Sequence, residues 1–259
     1  MNFRLGVTPD DQAVADAVAR FADTVLAPRA QEIDAQELST TCHVPQLAEL
    51  GVMGMNLPEH LGGAGVTPTA MLLSLVEISR ACAATSSMIG AHYLGTDALL
   101  IGGSAEQHQR YLPRAASGEW LAGFALTEPR GGSHPADLRT RAVLHSDGDS
   151  YRIDGVKHFI SNAKEAKFLI VFAKTDPDAG ARGVSAFIVD TDTPGISVSA
   201  TIRAFTSSGH FRFRRPRPPA GRSSNADSME KLRPNNHRGQ MNRSECRAEG
   251  GGQRTLTSF

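Results

Sequence analysis

The spacing of apolar residues changes once along this chain, and that change limits the folds open to it. Up to about residue 118, apolar residues recur at helical spacing, as in Val14, Val18, Phe21 and Val25. From about residue 120, short apolar runs alternate with turn residues, which is the pattern of β-strands. Helices followed by strands predict an α+β fold with segregated domains instead of repeated βαβ units.

The first region, residues 1–119, is predicted to be an all-α helical domain. Its first helix begins after Thr8, which can cap a helix that has Pro9 at its first position. Further along, Ser104 and Gln107 have the spacing of a capping box and predict another helix start. These starts, together with apolar segments of helical length, fill the region with helices.

The second region, residues 120–202, contains six or seven short apolar runs separated by turns. The run at 168–173 is apolar throughout and predicts a fully buried strand. The segment 146–150 (Ser-Asp-Gly-Asp-Ser) has the composition of a hairpin turn. We therefore expect a small antiparallel β-barrel or sandwich.

The third region, residues 203–259, resembles neither of the first two. It contains no Val or Ile and holds 12 Lys and Arg against 4 Asp and Glu, whereas residues 1–202 hold 15 against 23. The net charge of zero for the whole chain is thus the sum of a negative net charge in residues 1–202 and a positive one in residues 203–259. Ordering such a segment costs about 1–2 kcal/mol per residue, more than its few apolar residues can offset. We predict a disordered basic tail.

Composition also bears on location and partners. The three cysteines form no C-x-x-C pair, which favours a reducing compartment and argues against a metal site. The first residues lack the apolar core of a signal peptide, and no apolar run reaches the ~20 residues of a membrane span. The basic stretch 203–222 lacks a recognisable nucleic-acid module. A cytoplasmic protein without nucleic-acid or membrane partners is expected.

Two segments of the second region carry the candidate site. Residues 124–133 read Phe-Ala-Leu-Thr-Glu-Pro-Arg-Gly-Gly-Ser, where Pro129 ends a strand and the glycines let the backbone approach a ligand. Phe159 and Ser161 lie two residues apart in a predicted strand and would face the same side. An aromatic wall beside several hydroxyls fits a flat heteroaromatic ring.

These segments resemble the acyl-CoA dehydrogenase family. The family pattern is Thr-Glu-Pro-Gly-x-Gly-Ser-Asp followed, about 25 residues on, by Gly-x-Lys-x-(Trp or Phe)-Ile-(Thr or Ser)-Asn. Here residues 127–134 read Thr-Glu-Pro-Arg-Gly-Gly-Ser-His, and 155–162 read Gly-Val-Lys-His-Phe-Ile-Ser-Asn. Arg130 and His134 stand where the family has Gly and Asp. The resemblance extends over roughly residues 8–202.

The resemblance implies FAD as cofactor and an acyl-CoA thioester as substrate. The residues implied to contact the flavin are Phe124, Leu126, Thr127, Ser133, Phe159 and Ser161. Ser133 is also implied to contact the substrate. The implied reaction is α,β-dehydrogenation, in which a glutamate base removes the α-proton and the β-hydrogen leaves as hydride to FAD. The resemblance further implies an electron-transfer flavoprotein partner and a homo-oligomer.

The family's third domain is a bundle of long helices that carries the base, and residues 203–259 do not predict it. Glu128 is not the base in the family pattern, so no catalytic residue is assigned. We interpret the residues from about 203 onward as out-of-frame translation of a longer gene, because wrong-frame reading of a GC-rich gene gives this Arg, Pro, Ser and Gly richness. An impaired dehydrogenase is expected; the alternative is a non-catalytic remnant that binds CoA esters or a partner subunit.

Overall fold

A computed structural model describes residues 6–146, 150–202, 208–213 and 230–231. Its first part is helical, and a π-helical turn joins the first two helices. The α-helices are α1 (Pro9–Phe21), α2 (Ala27–Gln36), α3 (Val44–Glu49), α4 (Pro68–Ala81), α5 (Ala83–Gly102) and α6 (Ala105–Ala116). The strands are β1 (Leu121–Ala125), β2 (Arg141–Leu144), β3 (Tyr151–Ile160), β4 (Ala166–Lys174), β5 (Val184–Asp190), β6 (Ile196–Ile202), β7 (Ser208–Phe213) and β8 (Glu230–Lys231).

Both predicted helix starts are confirmed by their capping contacts. The hydroxyl of Thr8 accepts a hydrogen bond from the backbone N–H of Asp11, and the Asp11 carboxylate accepts one from the Thr8 backbone. Ser104 and Gln107 make the same reciprocal pair at the start of α6. Each box satisfies backbone donors that a helix end leaves unpaired.

The helices pack around one apolar core. Val18 and Phe21 of α1 meet Ile78 of α4 and Ile89 of α5 there, and all four side chains are buried. Val14 and Val25 lie at the margin of this core and are only partly buried. The helical stripe predicted from the sequence therefore faces the interior. No helix in the described ranges is long and apolar enough to cross a membrane.

The sheet is mixed and open, unlike the antiparallel barrel or sandwich that the strand pattern predicted. Its strand order is β6-β7-β3-β2-β4-β5-β8, and β1 pairs in parallel with β4 beside this path. Strands β2 and β4 also run parallel, through the pair Arg141 and Lys174. Among the described residues, the end strands β6 and β8 do not pair with each other. Strand periodicity gives the faces of a strand but not its partners, so the pairing was not predictable.

Strand β4 is buried on both faces, as predicted. Phe168 and Ile170 point toward the helices, in a cluster shared with Leu99 and Leu112. The alternate residues of the strand, such as Leu169, contribute to a second cluster within the β region. An all-apolar strand is therefore the junction between the helical part and the interior of the β part.

Strand β7 lies inside the segment that was predicted to be disordered. It pairs with β3 and with β6, and the side chains of Phe211 and Phe213 are buried in the apolar cluster of the β region. The prediction was wrong for residues 208–213, because two phenylalanines spaced two apart suffice to fill one strand face. Apart from these residues and the two residues of β8, the predicted tail lies outside the described residues.

Candidate functional site

The carboxyl end of β1 and the end of β3 lie side by side, so the two predicted segments meet. The backbone carbonyl of Thr127 accepts a hydrogen bond from the N–H of His158 at 2.9 Å. Gly123 of β1 lies against the Ser161 carbonyl, which a Cβ at Gly123 would approach to 3.3 Å. The sequence motifs of the candidate site thus occupy one edge of the fold.

The residues at the end of β1 differ in burial and in whether their polar groups are already hydrogen-bonded within the protein. The ring of Phe124 is half-buried and packs on Phe172 of β4, with ring centroids 4.9 Å apart. The carbonyl of Leu126 accepts a hydrogen bond from Lys157 Nζ at 3.0 Å, so this oxygen is already used within the protein. Within the described ranges the Thr127 hydroxyl has no hydrogen-bond partner, and its side chain is half-buried.

A tight turn follows Thr127. The backbone N–H and carbonyl of Glu128 bond reciprocally to Gly131, at 2.9 and 3.0 Å. Gly132 then lies against Thr127, since a Cβ at Gly132 would stand 2.6 Å from the Thr127 hydroxyl. The glycines were predicted to let the backbone approach a ligand, and that stays a prediction; the close approach described here is that of Gly132 to Thr127. Arg130 is not among the residues with positive φ, so it fits where the family has glycine.

Ser133 follows this close approach and is exposed. Its hydroxyl makes no hydrogen bond to any residue that the structure describes. Gly132, the residue before Ser133, packs on Thr127. His134, which replaces the family's Asp, is exposed next to Ser133.

Phe159 and Ser161 do not follow the strand alternation that was predicted for them. Phe159 has a φ of +56°, and the pairing of β3 with β7 shifts register between Lys157 and Ile160. The strand ends at Ile160, so Ser161 lies in the following turn. A bulge rotates the backbone and cancels period-two alternation, which is the reason for the error.

Phe159 is nevertheless largely exposed. Its exposed fraction is 63%, and its ring centroid lies 6.0 Å from that of His158. A bulky residue at positive φ is strained and persists only where the surrounding structure enforces it. The Ser161 hydroxyl is half-buried and has no partner in the described part of the chain.

Two anchoring features were missed by sequence reasoning, although their residues stand inside the quoted motifs. Asn162 has a φ of +60°, and its side-chain amide donates to the carbonyls of Met88 on α5 and Ala122 on β1, at 3.0 and 3.1 Å. Asn tolerates this left-handed conformation better than most residues. The amide therefore ties the turn after β3 to both domains.

The second feature is a buried ion pair. Lys157 Nζ lies 2.9 Å from Glu128 Oε1, and the two side chains are 0% and 7% exposed. The Glu128 carboxylate also accepts from the backbone N–H groups of Arg139 and Thr140, at 2.7 and 3.0 Å. Burial by itself raises the pKa of Glu128, but hydrogen bonds from Thr140, Lys157 and Arg139 outweigh it and hold that pKa below its usual value. Burial lowers the pKa of Lys157, and Glu128 opposes that shift.

His92 supports the start of β1 from the helical side. Its Nδ1 accepts a hydrogen bond from the Ala122 N–H at 3.1 Å, so Nε2 carries the proton and donates to the Met53 carbonyl at 3.2 Å. His92 is therefore a hydrogen-bonded histidine of the core. Burial lowers the pKa of His92 to about 4 from its usual 6.5.

Stability should therefore decline on acidification through His92. The unfolded chain binds a proton there below about pH 6.5, whereas the folded chain does not until about pH 4. Lowering the pH through this window favours unfolding and removes roughly 3 kcal/mol. Urea unfolding of the unsubstituted chain and of His92→Gln, measured at several pH values, should show a steeper loss in the unsubstituted chain. Equal slopes would contradict this, and the exposed His60→Gln is the control.

Comparison with known proteins identifies the family to which this fold belongs. A helical domain packed on a mixed sheet is the architecture of a class of flavin-dependent dehydrogenases. The family described as "Acyl-CoA dehydrogenase, N-terminal domain" matches residues 8–119, and "Acyl-CoA dehydrogenase, middle domain" matches residues 123–215. The chain belongs to the acyl-CoA dehydrogenase family.

Curated relatives agree with this assignment. An acryloyl-CoA reductase (NADH) of Anaerotignum propionicum is 35% identical over 198 residues, which cover 76% of this chain and 50% of the relative. An acyl-CoA dehydrogenase of Bacillus subtilis is 38% identical over 193 residues, covering 74% of this chain and 50% of the relative. The chain spans about half the length of these curated relatives.

Solved structures show the same architecture. A glutaryl-CoA dehydrogenase from Mycobacterium smegmatis in complex with FADH2 has a TM-score of 0.76 and 26% identity, covering 89% of this chain and 57% of its own. A chain from a structure of the electron transferring flavoprotein of Acidaminococcus fermentans has a TM-score of 0.78 and 30% identity, covering 90% and 58%.

Proposed function

We propose that this chain supplies the helical and β-domain portion of an FAD-dependent acyl-CoA dehydrogenase, with its flavin-binding edge at the ends of β1 and β3. The observation that carries the proposal is the meeting of these two ends, joined by the bond between His158 and Thr127, beside an exposed, strained aromatic ring. Three hydroxyls without partners in the described residues lie in the same two segments. The FADH2 complex of a structural relative supports the choice of cofactor.

Each proposed residue has a distinct role. Phe159 covers one face of the flavin ring, and the half-buried ring of Phe124 supports the floor beside it. The hydroxyls of Thr127 and Ser161 bond to the polar edge of the ring, and Leu126 contributes its backbone and side chain. Ser133 contacts the outer part of the cofactor or the thioester. FAD, when bound, supplies the hydride acceptor for α,β-dehydrogenation of an acyl-CoA.

Glu128 is not proposed as the base of this reaction. Its carboxylate is buried and accepts from Lys157, Arg139 and Thr140, so its oxygens are bonded within the protein. Among the described residues no base is therefore proposed, and the second candidate function is a non-catalytic remnant that binds CoA esters or a partner subunit without turnover. Bleaching of bound flavin by an added acyl-CoA distinguishes the two, because only the dehydrogenase reduces its flavin.

We expect FAD binding to depend on the hydroxyls at this edge. Thr127→Val combined with Ser161→Ala should weaken FAD binding about tenfold, since two hydrogen bonds to the ring are lost. The measurement is a fluorescence titration of FAD with purified protein. Thr69→Val is the matched control, because its hydroxyl lies on the first turn of α4 and has no described partner. Unchanged affinity in the double variant would contradict the site, and absence of FAD binding by the unsubstituted chain would contradict the function.

The remaining parts of the proposal follow the family. They are an electron-transfer flavoprotein as electron acceptor, a homo-oligomeric assembly, and a division into domains at residues 1–119, 120–202 and 203–259. The boundary at residue 202 would separate β7 (Ser208–Phe213) from the strands with which it pairs, whereas the match to the middle domain runs to residue 215. An out-of-frame origin of the last segment and a cytoplasmic location stay predictions; reading the gene in its other frames tests the first.

A further inference from the structure

Residues Lys157 and His158 hold three consecutive residues of the neighbouring segment. Lys157 Nζ donates to the Leu126 carbonyl at 3.0 Å, the His158 N–H donates to the Thr127 carbonyl at 2.9 Å, and Lys157 Nζ also donates to the Glu128 carboxylate at 2.9 Å. Two adjacent residues of β3 therefore set the position of residues 126–128. The next residue along β3 is Phe159.

The carboxylate end of the pair reaches a third segment. Glu128 accepts from the backbone N–H groups of Arg139 and Thr140, which lead into β2. Its own backbone closes the turn with Gly131. The pair thus links the end of β1, the segment before β2 and the end of β3 at one buried point.

An ion pair that is this well bonded is not required for stability alone. Replacing both members of a buried pair by neutral side chains of similar volume is often neutral or stabilising, whereas removing one member is costly. Apolar packing in the adjoining cluster, which includes Ala125 and Ile160, already joins β1 to β3. The charges of Glu128 and Lys157 therefore point to a role in fixing the relative positions of the segments that they join.

We propose that Glu128 and Lys157 are positioning residues for the flavin edge, which fix the Thr127 hydroxyl relative to the Phe159 ring. The part of this proposal that concerns FAD binding rests on the proposed function. Both side chains of the pair are buried, and among the described residues neither is hydrogen-bonded to the hydroxyl of Thr127 or Ser161. The pair acts through the backbone of residues 126–128 and through the adjacent, strained Phe159.

The test uses the full chain and three variants: Glu128→Gln, Lys157→Met and both substitutions together. The double variant should fold, since it leaves no unpaired charge, yet it lacks the bond from Lys157 to the Leu126 carbonyl. We expect about tenfold weaker FAD binding by the double variant, with a urea midpoint close to that of the unsubstituted chain and well above that of Lys157→Met. We also expect amide hydrogen exchange of residues 126–131 to accelerate about tenfold, while β4 and β5 keep their protection.

Lys167→Met is the matched control, because Lys167, at the start of β4, forms an exposed pair with Asp192 at 2.6 Å and makes no described bond to residues 126–128. It should change neither FAD binding nor exchange of residues 126–131. Wild-type exchange or wild-type FAD affinity in the double variant would overturn the positioning role. Failure of the unsubstituted chain to bind FAD would contradict the proposed function alone, and exchange of the FAD-free protein would then decide the positioning role.

Discussion

Replacing Lys157 by methionine is expected to lower the free energy of unfolding by about 3–5 kcal/mol. The substitution leaves the Glu128 carboxylate buried without its cation, although the side chain remains bonded to two backbone N–H groups. The carboxylate then regains neutrality only by binding a proton, so the pKa of Glu128 should rise. Urea unfolding at neutral pH measures the loss of stability.

Two comparisons make this result specific to the buried pair. Lys167→Met breaks an exposed pair and should cost less than about 1 kcal/mol. Adding Glu128→Gln to Lys157→Met should recover most of the lost stability, because no unpaired charge is left. A single variant as stable as the unsubstituted chain would show that the pair is not desolvated in solution.

Replacing Phe168 by alanine is expected to cost about 3–5 kcal/mol and to weaken the junction between the two parts of the fold. Phe168 is fully buried on the helix-facing side of β4, and its ring centroid lies 5.0 Å from that of Tyr111 on α6. The same cluster contains Leu99 and Leu112 from the helices and Ile188 from β5. Truncation therefore removes contacts from both sides of the junction.

The one tryptophan of the chain reports on this junction. Trp120 lies between α6 and β1, 5.7 Å from the Tyr111 ring centroid. In the unsubstituted chain, Trp120 fluorescence and far-ultraviolet circular dichroism should give the same unfolding midpoint. In Phe168→Ala, the fluorescence transition should occur first. The control is Phe159→Ala, which replaces an exposed ring and should change the free energy of unfolding by less than about 1 kcal/mol. If both transitions of Phe168→Ala coincide at the midpoint of the unsubstituted chain, the junction role is refuted.

Local signals in the sequence predicted most elements of this fold. Helix starts such as Thr8 and Ser104 were recognisable because capping depends on residues three apart. The burial of β4 followed from its unbroken apolar run. Partners of strands were not predictable, because the parallel pairing of β1 with β4 depends on tertiary packing.

The sequence predicted which segments form the candidate site, but it did not predict the backbone conformation within them. The motifs around Thr127 and Phe159 do lie together, yet the positive φ of Phe159 cannot be derived from a residue type that rarely adopts it. Lys157 escaped notice because lysine is among the least buried residue types, and only its tertiary partner explains its burial. The sequence therefore predicts the chemical groups at such an edge more readily than the buried residues that hold them in position.

The parallel pairing of β1 with β4 has a consequence for how the protein folds. Leu121 pairs with Ala166, about 45 residues further along the chain, whereas the pairs of β2 with β3 and of β4 with β5 are local hairpins. Closing the longer loop carries the larger entropic cost, so we expect the hairpins to form first and β1 to dock last. During synthesis on the ribosome, the flavin edge cannot be completed until β4 has emerged, and until then β1 presents an unpaired edge to chaperones and to other nascent chains.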